Sequence, residues 1–357
     1  MTWTLPALSV GEFAPSFEGA TRANPHFHFN TVAGRYVVLA FIPDDARRTA
    51  ALAAFDAQAA LFDGQRLAAF FVADGADAQA PPPDRMPGMR WFLDPERTIR
   101  KDCGLDATAA EWLLFDPSLR LLAREPIEAA GAFFARIRAL PPVSQHAGAP
   151  LVAPVLIIPR VFEPALCRRL IDYYETRGGQ LSGVMREIGG KTVGVLDPMK
   201  HRRDVHIAEP EFRNELRDRL GVGLAPLIRR ALQFNPTRLE RYLVACYDAD
   251  EGGYFQPHRD NETMGTAHRR FAVSINLNAE EFEGGDLRFP EFGSRTYRPP
   301  TGGAVVFCCS LQHEATPVTR GRRYAFLPFL YDEEGQRIRE RNHTFIDNSA
   351  VDTARKA

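Results

Sequence analysis

Apolar residues along this chain follow two different periods, separated by the stretch Pro141 to Pro150, where Pro, Gly, Ala and polar residues mark a linker over 141–150. Upstream, Tyr36 to Ile42 (YVVLAFI) is a continuous apolar run of the kind carried by a strand covered on both faces, and Leu67 to Ala73 (LAAFFVA) is a second. Between them, Thr49 to Phe62 has the Ala-rich amphipathic pattern of a helix. A Pro-rich loop follows from Ala80 to Gly88. Trp112 to Phe115 and Leu119 to Ala123, joined by an Asp116-Pro117 turn, predict a hairpin, and Ile127 to Leu140 a helix. Strands that alternate with helices and close on a hairpin and a helix predict an α/β sheet domain over residues 1–140.

Downstream of the linker, Pro164 to Arg177 predicts a helix and Glu209 to Gln233 one or two more. From Leu239 the elements shorten. Phe271 to Asn278 alternates, with Phe, Val, Ile and Leu on one face and Ala, Ser, Asn and Asn on the other. Further strands are predicted at Asp286 to Phe289, Ala304 to Cys308 and Tyr324 to Tyr331, separated by turns at Gly284-Gly285, Pro299-Pro300 and Gly302-Gly303. Short strands with such turns predict a sandwich or jelly roll over 151–340, followed by a weakly ordered tail over 341–357.

With 357 residues the chain is too long for one ordinary core, so two or three domains are expected, and 45% hydrophobic with 25% charged residues is a globular balance. A net charge of -1 supplies no field to attract polyanions, so neither nucleic acid nor an anionic membrane is an expected partner. No apolar run approaches the length of a bilayer span, and Met1 to Pro6 lacks the start of a signal peptide. A cytoplasmic location is the simplest expectation. The five cysteines have no CxxC spacing, which fits free thiols in a reducing compartment and argues against zinc. Cys308 and Cys309, adjacent on a strand, face opposite ways and read as core residues.

The candidate chemistry lies at His258-Arg259-Asp260, the only His-x-Asp triplet among nine histidines. Residues two apart on a strand share a face, so this imidazole and carboxylate can reach one point. His268, His313 and His343 are the downstream candidates for a third ligand. His268 is followed by two arginines that disfavour a dication, and His343 lies beyond the last predicted strand, which leaves His313 as the best choice. Two imidazoles and a carboxylate cap one face of an octahedral Fe(II) and leave the other positions for a chelating cosubstrate and O2. Arg323, ten residues past His313, is a candidate cation for the far end of that cosubstrate.

Beyond the triplet, Tyr247 and Tyr254, the strand ending Leu277-Asn278, Phe282 to Pro290 with Gly284-Gly285, Pro300 to Phe307, and His313 to Arg323 follow in order. In these pieces the segment from Leu239 to Asp332 resembles the Fe(II)- and 2-oxoglutarate-dependent oxygenases of the prolyl 4-hydroxylase-like group, with a weaker helical lead-in from Val155. The resemblance implies an α+β domain built on a double-stranded β-helix (jelly roll), with His258, Asp260 and His313 as catalytic metal ligands. It implies Fe(II), 2-oxoglutarate and O2 as cofactors, with ascorbate as an optional reductant. Arg323 would pair with the distal carboxylate of 2-oxoglutarate, where many relatives carry Lys, and Tyr247 would add a hydroxyl bond to it. Arg320 and Arg322 stand beside Arg323 as competitors for that role. The implied reaction is hydroxylation, with release of succinate and CO2, of a protein, peptide or small-molecule substrate, a peptidyl or free amino acid being favoured. A halogenase of this superfamily would need the Asp260 position vacated. The alternative is a non-catalytic iron-binding sensor or partner-binding module. Tyr254 and Asn276 read as structural or pocket-lining, and the basic run Lys200 to His206 as a solvated loop, with contact to substrate as the alternative.

In the first domain, Val10 to Phe17, Tyr36 to Pro43, Trp91 to Pro95 and Trp112 to Pro117 resemble a peroxiredoxin of the thioredoxin fold. Asp44 to Leu52 contains no cysteine, Ala50 stands where the peroxidatic cysteine is expected, and Arg47 replaces the usual threonine. Without a thiolate there is no peroxidase chemistry. The resemblance therefore implies a degenerate thioredoxin-like domain that binds a partner, shapes the substrate entrance or forms a homodimer.

Overall fold

In a computed structural model that describes residues 7–42, 46–74, 78–79 and 83–347, Tyr36–Phe41 forms strand β1, buried at every position. Alternate side chains of a strand point to opposite faces. Tyr36, Val38 and Ala40 join one apolar cluster with Phe71, Trp91 and Trp112. Val37, Leu39 and Phe41 join another with Phe70, Phe92 and Phe115. Both faces of β1 are covered, so its sequence has no polar alternation.

Around β1 lie α1 (Ala46–Asp56), β2 (Leu67–Asp74), β3 (Met89–Asp94), α2 (Thr98–Asp102), β4 (Glu111–Phe115), β5 (Leu121–Pro126) and α3 (Ala130–Arg138). The sheet order is β3-β2-β1-β4-β5, parallel among the first three strands and antiparallel from β1 through β5. Phe55 of α1 and Phe133 and Ile137 of α3 cover one face, and Ile99 of α2 the other. This unit comprises residues 1–153 with 290–294. The hairpin and the closing helix lie close to their predicted positions, whereas no apolar period marks β3, whose six residues are fixed by pairing with β2 from Ala69↔Met89 to Asp74↔Asp94. Residues 1–6, 43–45 and 80–82, which carry part of the terminus, the peroxiredoxin-like stretch and the Pro-rich loop, lie outside the described residues.

The second unit comprises residues 154–289 with 295–357. It opens with β6 (Leu156–Ile158), α4 (Pro164–Arg177), β7 (Gln180–Leu181), the hairpin β8 (Val184–Ile188) and β9 (Lys191–Val195), then β10 (Lys200–His201) and β11 (Arg203–His206). Helices α5 (Pro210–Gly223) and α6 (Ala225–Leu232) precede β12 (Arg238–Glu240), β13 (Leu243–Asp248), β14 (Tyr254–His258) and β15 (Phe271–Asn276). Next come β16 (Leu287–Arg288), β17 (Thr296–Tyr297), β18 (Ala304–Cys308), β19 (His313–Ala315), β20 (Arg322–Phe326) and β21 (Phe329–Tyr331). The chain closes with α7 (Glu333–Asn342) and β22 (Ile346–Asp347).

The larger sheet runs β12-β21-β15-β20-β13-β11-β7, with β18 added on β15 and β6 on β18. The smaller runs β10-β14-β19-β16-β17. One face of the larger sheet, with Val244, Val273, Ile275 and Phe326, packs under Leu166 and Leu170 of α4, Leu216 and Leu220 of α5 and Ile228 of α6. On the other face Leu243, Ala245 and Tyr247 meet Ala315 of the smaller sheet. The two sheets thus enclose a jelly-roll interior between them.

Two expectations are corrected here. Lys200 to His206 is not a solvated loop but β10 and β11, paired with β14 and β13. Residues 341–347 are not a loose tail. Asp332 caps α7 by accepting from the Gly335 N–H at 2.8 Å, and β22 pairs in parallel with β9. Residues 348–357 lie outside the described residues. Among the described residues no helix is long and apolar enough to cross a membrane.

Candidate metal centre and cosubstrate pocket

β14 and β19 are neighbours in the smaller sheet with His258 directly opposite His313. Their rings lie 4.3 Å apart. Asp260 is two residues past His258 but not on the same strand, since β14 ends at His258. What aims it is a pair of backbone bonds: its N–H donates to the Cys309 carbonyl at 2.9 Å, and its own carbonyl accepts from Arg269 at 3.2 Å. The carboxylate oxygens then lie 3.7 Å from His258 Nε2 and 3.3 Å from His313 Nε2. One donor atom from each of the three residues falls within 4.8 Å of the others, the one such cluster of His, Cys, Asp and Glu among the described residues.

The histidine tautomers are fixed from behind. Nδ1 of His258 faces the Gln256 carbonyl at 2.7 Å and Nδ1 of His313 the Leu311 carbonyl at 3.0 Å. Each Nδ1–H donates outward, so each Nε2 lone pair points into the site, the arrangement a metal-binding imidazole needs. Burial lowers the His258 imidazole well below its ordinary value, with His313 adding to the effect, so it is neutral and available as a ligand. Burial alone would raise the Asp260 carboxyl, but His313 and then His258 and Arg269 outweigh it and keep the group ionised. Phe255 stacks on His258 at 3.5 Å and Phe307 lies 4.5 Å from His313, giving the cluster apolar walls.

The opposite wall of the same pocket comes from the larger sheet, through Ser274, Tyr247 and Arg323. Tyr247 on β13 pairs in register with Arg323 on β20, and the guanidinium lies 5.1 Å from the phenol ring. Arg323 is 2% exposed. Its Nη2 donates to Ser274 Oγ at 2.9 Å and its Nε to Asn276 Oδ1 at 3.4 Å. Its Nη1 is buried without an acceptor. Gly285, at φ +66, leaves the room: a Cβ there would stand 3.1 Å from Arg323 Cδ. A cation held on two sides with one N–H pair unanswered fits a carboxylate ligand, because leaving such donors buried and unpaired is costly.

Of the competing residues, Arg320 pairs with Glu283 at 2.7 Å and Arg322 with Asp248 at 2.7 Å, both on the surface. His268 is buried against Glu240 at 2.7 Å, away from the triad. His343 begins a short 3-10 turn after α7. Tyr254 donates to the Pro198 carbonyl. Asn276, besides accepting from Arg323, donates to the Pro299 carbonyl at 2.9 Å.

Ser274 and Arg241 also line the pocket, as do Lys200 and Arg202 of the basic run for which contact with substrate is the alternative to a solvated loop. The polar face of β15 already carried the signal for Ser274. Arg202 donates to the Tyr247 hydroxyl at 3.3 Å and to Asp204 at 2.6 Å, and so sets the position of the phenol. Burial alone would raise the Asp204 carboxyl, but Arg202 and then Lys200 reverse this and hold it at about 2. A depressed folded value means that this stability is present above the unfolded carboxylate value of about 3.9 and is lost as pH falls through about 2. Asp204→Ala, which strands a buried guanidinium, is expected to destabilise the protein by about 3–5 kcal/mol at neutral pH. Urea midpoints for the two proteins should converge as pH falls across that window.

Two imidazoles on a jelly-roll strand pair and a carboxylate just past it, with a buried arginine on the opposite wall, are donors of the types that mononuclear non-haem iron takes. Residues 242–331 match the family model of the 2OG-Fe(II) oxygenase superfamily, and this stretch is a domain of that type. A PKHD-type hydroxylase of Synechococcus sp. (strain JA-2-3B'a(2-13)) is 30% identical over 101 residues, covering 27% of this chain and 44% of that protein. The procollagen-lysine,2-oxoglutarate 5-dioxygenase 1 of Mus musculus is 31% identical over 180 residues, covering 48% of this chain and 23% of that protein. The chain thus spans less than half the length of either relative. Among solved structures, a prolyl hydroxylase from Trichoplax adhaerens in complex with a hypoxia inducible factor oxygen degradation domain peptide fragment aligns with a TM-score of 0.41 and 19% identity. That alignment covers 52% of this chain and 86% of the other.

Proposed function

We propose that the chain is an Fe(II)- and 2-oxoglutarate-dependent dioxygenase that hydroxylates a peptidyl or free amino acid and releases succinate and CO2. The observation that carries this reading is the pairing, in one pocket, of the His258, Asp260 and His313 donors with the unanswered Nη1 of Arg323. Bound Fe(II) supplies activation of O2 coupled to decarboxylation of 2-oxoglutarate. The chain's own residues do the positioning. His258, Asp260 and His313 would hold the metal. Arg323, braced by Ser274 and Asn276, takes the distal carboxylate in a planar fork. Tyr247, braced by Arg202, adds a hydroxyl bond. Phe255, Leu287 and Phe307 keep the reacting side apolar.

The two sequence relatives named above, a PKHD-type hydroxylase and a procollagen-lysine dioxygenase, favour an amino-acid residue as substrate. The test is incubation of a cell lysate with the protein, with mass spectrometry for products one oxygen heavier. Products that form only when Fe(II) and 2-oxoglutarate are both supplied support the reading; metal binding without any succinate release favours an iron-binding module. Tyr247→Phe removes one neutral hydrogen bond worth about 0.5–1.5 kcal/mol, so the KM for 2-oxoglutarate is expected to rise roughly 2- to 10-fold. Succinate assays across a 2-oxoglutarate series check it.

We further propose that the first unit is a thioredoxin-like domain with a degenerate peroxiredoxin site that recruits a partner or a second copy. Support comes from the β3-β2-β1-β4-β5 order with flanking helices. Burial also pushes the Cys103 thiol up to about 12, which leaves it unreactive. Unchanged activity and assembly in a fragment beginning at Leu151 would count against a recruiting role.

A further inference from the structure

The pocket is lined by cations that iron and cosubstrate do not use. Under the reading above, on which this inference rests, Fe(II), Asp260, Arg323 and dianionic 2-oxoglutarate cancel one another, and Arg202 is neutralised by Asp204 at 2.6 Å. Two further cations line the pocket, Lys200 and Arg241. Lys200 is already occupied: its ammonium donates to Ser182 at 2.7 Å and to the Gly183 carbonyl at 2.8 Å and lies 5.0 Å from the centre of the Phe255 ring. Arg241 is pushed down only to about 10, by burial first and Arg269 second, and so keeps its charge at neutral pH.

Among the described residues no carboxylate forms an ion pair with Arg241 alone. Its sequence neighbour Glu240 is committed to Arg269, at 2.7 and 3.0 Å, and to His268, at 2.7 Å. The guanidinium lies 4.0 Å from the Phe329 ring, and its Nε is buried without an acceptor. The backbone is held at φ +67, a left-handed conformation that glycine adopts freely and a long side chain does not. β12 ends at Glu240 and β13 begins at Leu243, so paired strands on either side impose this conformation. Strain of this kind, at a residue whose charge lines the cavity beside Asp260, is a reason to look for a ligand.

We propose that Arg241 is the anchor for a carboxylate on the substrate that is hydroxylated, so that this oxygenase acts on an acid. The carboxylate is either the α-carboxylate of a free amino acid or the side chain of an acidic residue in a peptide. Seated on Arg241 and walled by Phe329 and Phe255, it would hold the adjoining carbons toward the triad.

The test uses the full chain loaded anaerobically with Fe(II) and 2-oxoglutarate, reading the charge-transfer absorption of that complex. The titrants are matched acids and amides: L-proline with L-prolinamide and L-lysine with L-lysinamide for the α-carboxylate, and the blocked amides of glutamate and glutamine for the side chain. At least one acid is expected to perturb the absorption at a concentration at least ~10-fold below that needed for its amide, the equivalent of one charge-assisted bond. Which pair responds identifies the source of the carboxylate. Arg241→Gly, which relaxes the backbone and so should fold, is expected to erase the preference, and Arg241→Lys to restore part of it. Equal binding of acids and amides overturns the inference, as does the absence of binding by any acid. So does a rise in the KM for 2-oxoglutarate in Arg241→Gly as large as the loss of acid binding, because Arg241 would then be a second hold on the cosubstrate. If the wild-type protein forms no complex with Fe(II) and 2-oxoglutarate, the underlying function fails, a result distinct from a complex that forms and ignores carboxylates.

Discussion

Replacing Asp260 by alanine is expected to abolish 2-oxoglutarate-dependent succinate release and to strip Fe(II) from the purified protein. The reason is charge as much as geometry. Asp260 is the one carboxylate in the cluster, placed 3.7 and 3.3 Å from the Nε2 atoms of His258 and His313. Loss of an outer-shell partner alone typically costs 10–100-fold in metal affinity or activity. Loss of the sole anionic donor should exceed that, so a fall of at least ~100-fold is the expected floor. The fold should survive, because what anchors this position is its backbone, with the N–H on Cys309 and the carbonyl under Arg269. Asp260→Asn, which keeps the shape and removes the charge, should fail to the same extent. Metal content and succinate release measured on the same preparations, with thermal unfolding as the control for folding, make the comparison. Turnover within tenfold of wild type in either variant would remove Asp260 from the metal site.

How much of this was legible in the sequence depended on whether the determining contact was local. The polar face of Phe271 to Asn278 could be read directly, since a period of two is a property of the strand itself, and it put Ser274 and Asn276 together in advance. The His258 and Asp260 spacing was legible too, but for a reason that turned out different: Asp260 is off the strand and is aimed by Cys309 and Arg269. The run Lys200 to His206 was misread because charged residues ordinarily mark solvated loops. Here Arg202 is buried through Asp204, two residues on, and through the Tyr247 hydroxyl from another strand. The second of those partners has no local signature. The same holds for β22, which exists only because β9 offers it an edge. Nothing in the letter Arg announces a left-handed backbone at position 241. In the first unit the doubly covered β1 could be read from its apolar run, whereas β3, interrupted by Arg90, needed β2 as a template.

Arg323→Ala should raise the KM for 2-oxoglutarate by at least ~100-fold while leaving Fe(II) binding in place, since the fork would supply two charge-assisted bonds worth about 1.5–3 kcal/mol each and each 1.4 kcal/mol is a factor of ten. Arg323→Lys keeps the charge and loses the planar fork, so it should fall between the two. The buried setting adds to the effect. Burial pushes the guanidinium down from its ordinary value, and Nη1 has no acceptor among the described residues, so a ligand carboxylate would satisfy a donor that is otherwise unpaired. A double-mutant cycle isolates that bond from general damage to the pocket. 2-Oxobutyrate has the chelating end of 2-oxoglutarate but no distal carboxylate. Wild type should strongly prefer 2-oxoglutarate, and Arg323→Ala should treat the two nearly alike. If the variant loses both cosubstrates equally, the side chain is supporting Tyr247 and Ser274 rather than holding the carboxylate. If it loses neither, the distal carboxylate is seated elsewhere, and Arg202, which bonds the same phenol, becomes the residue to replace.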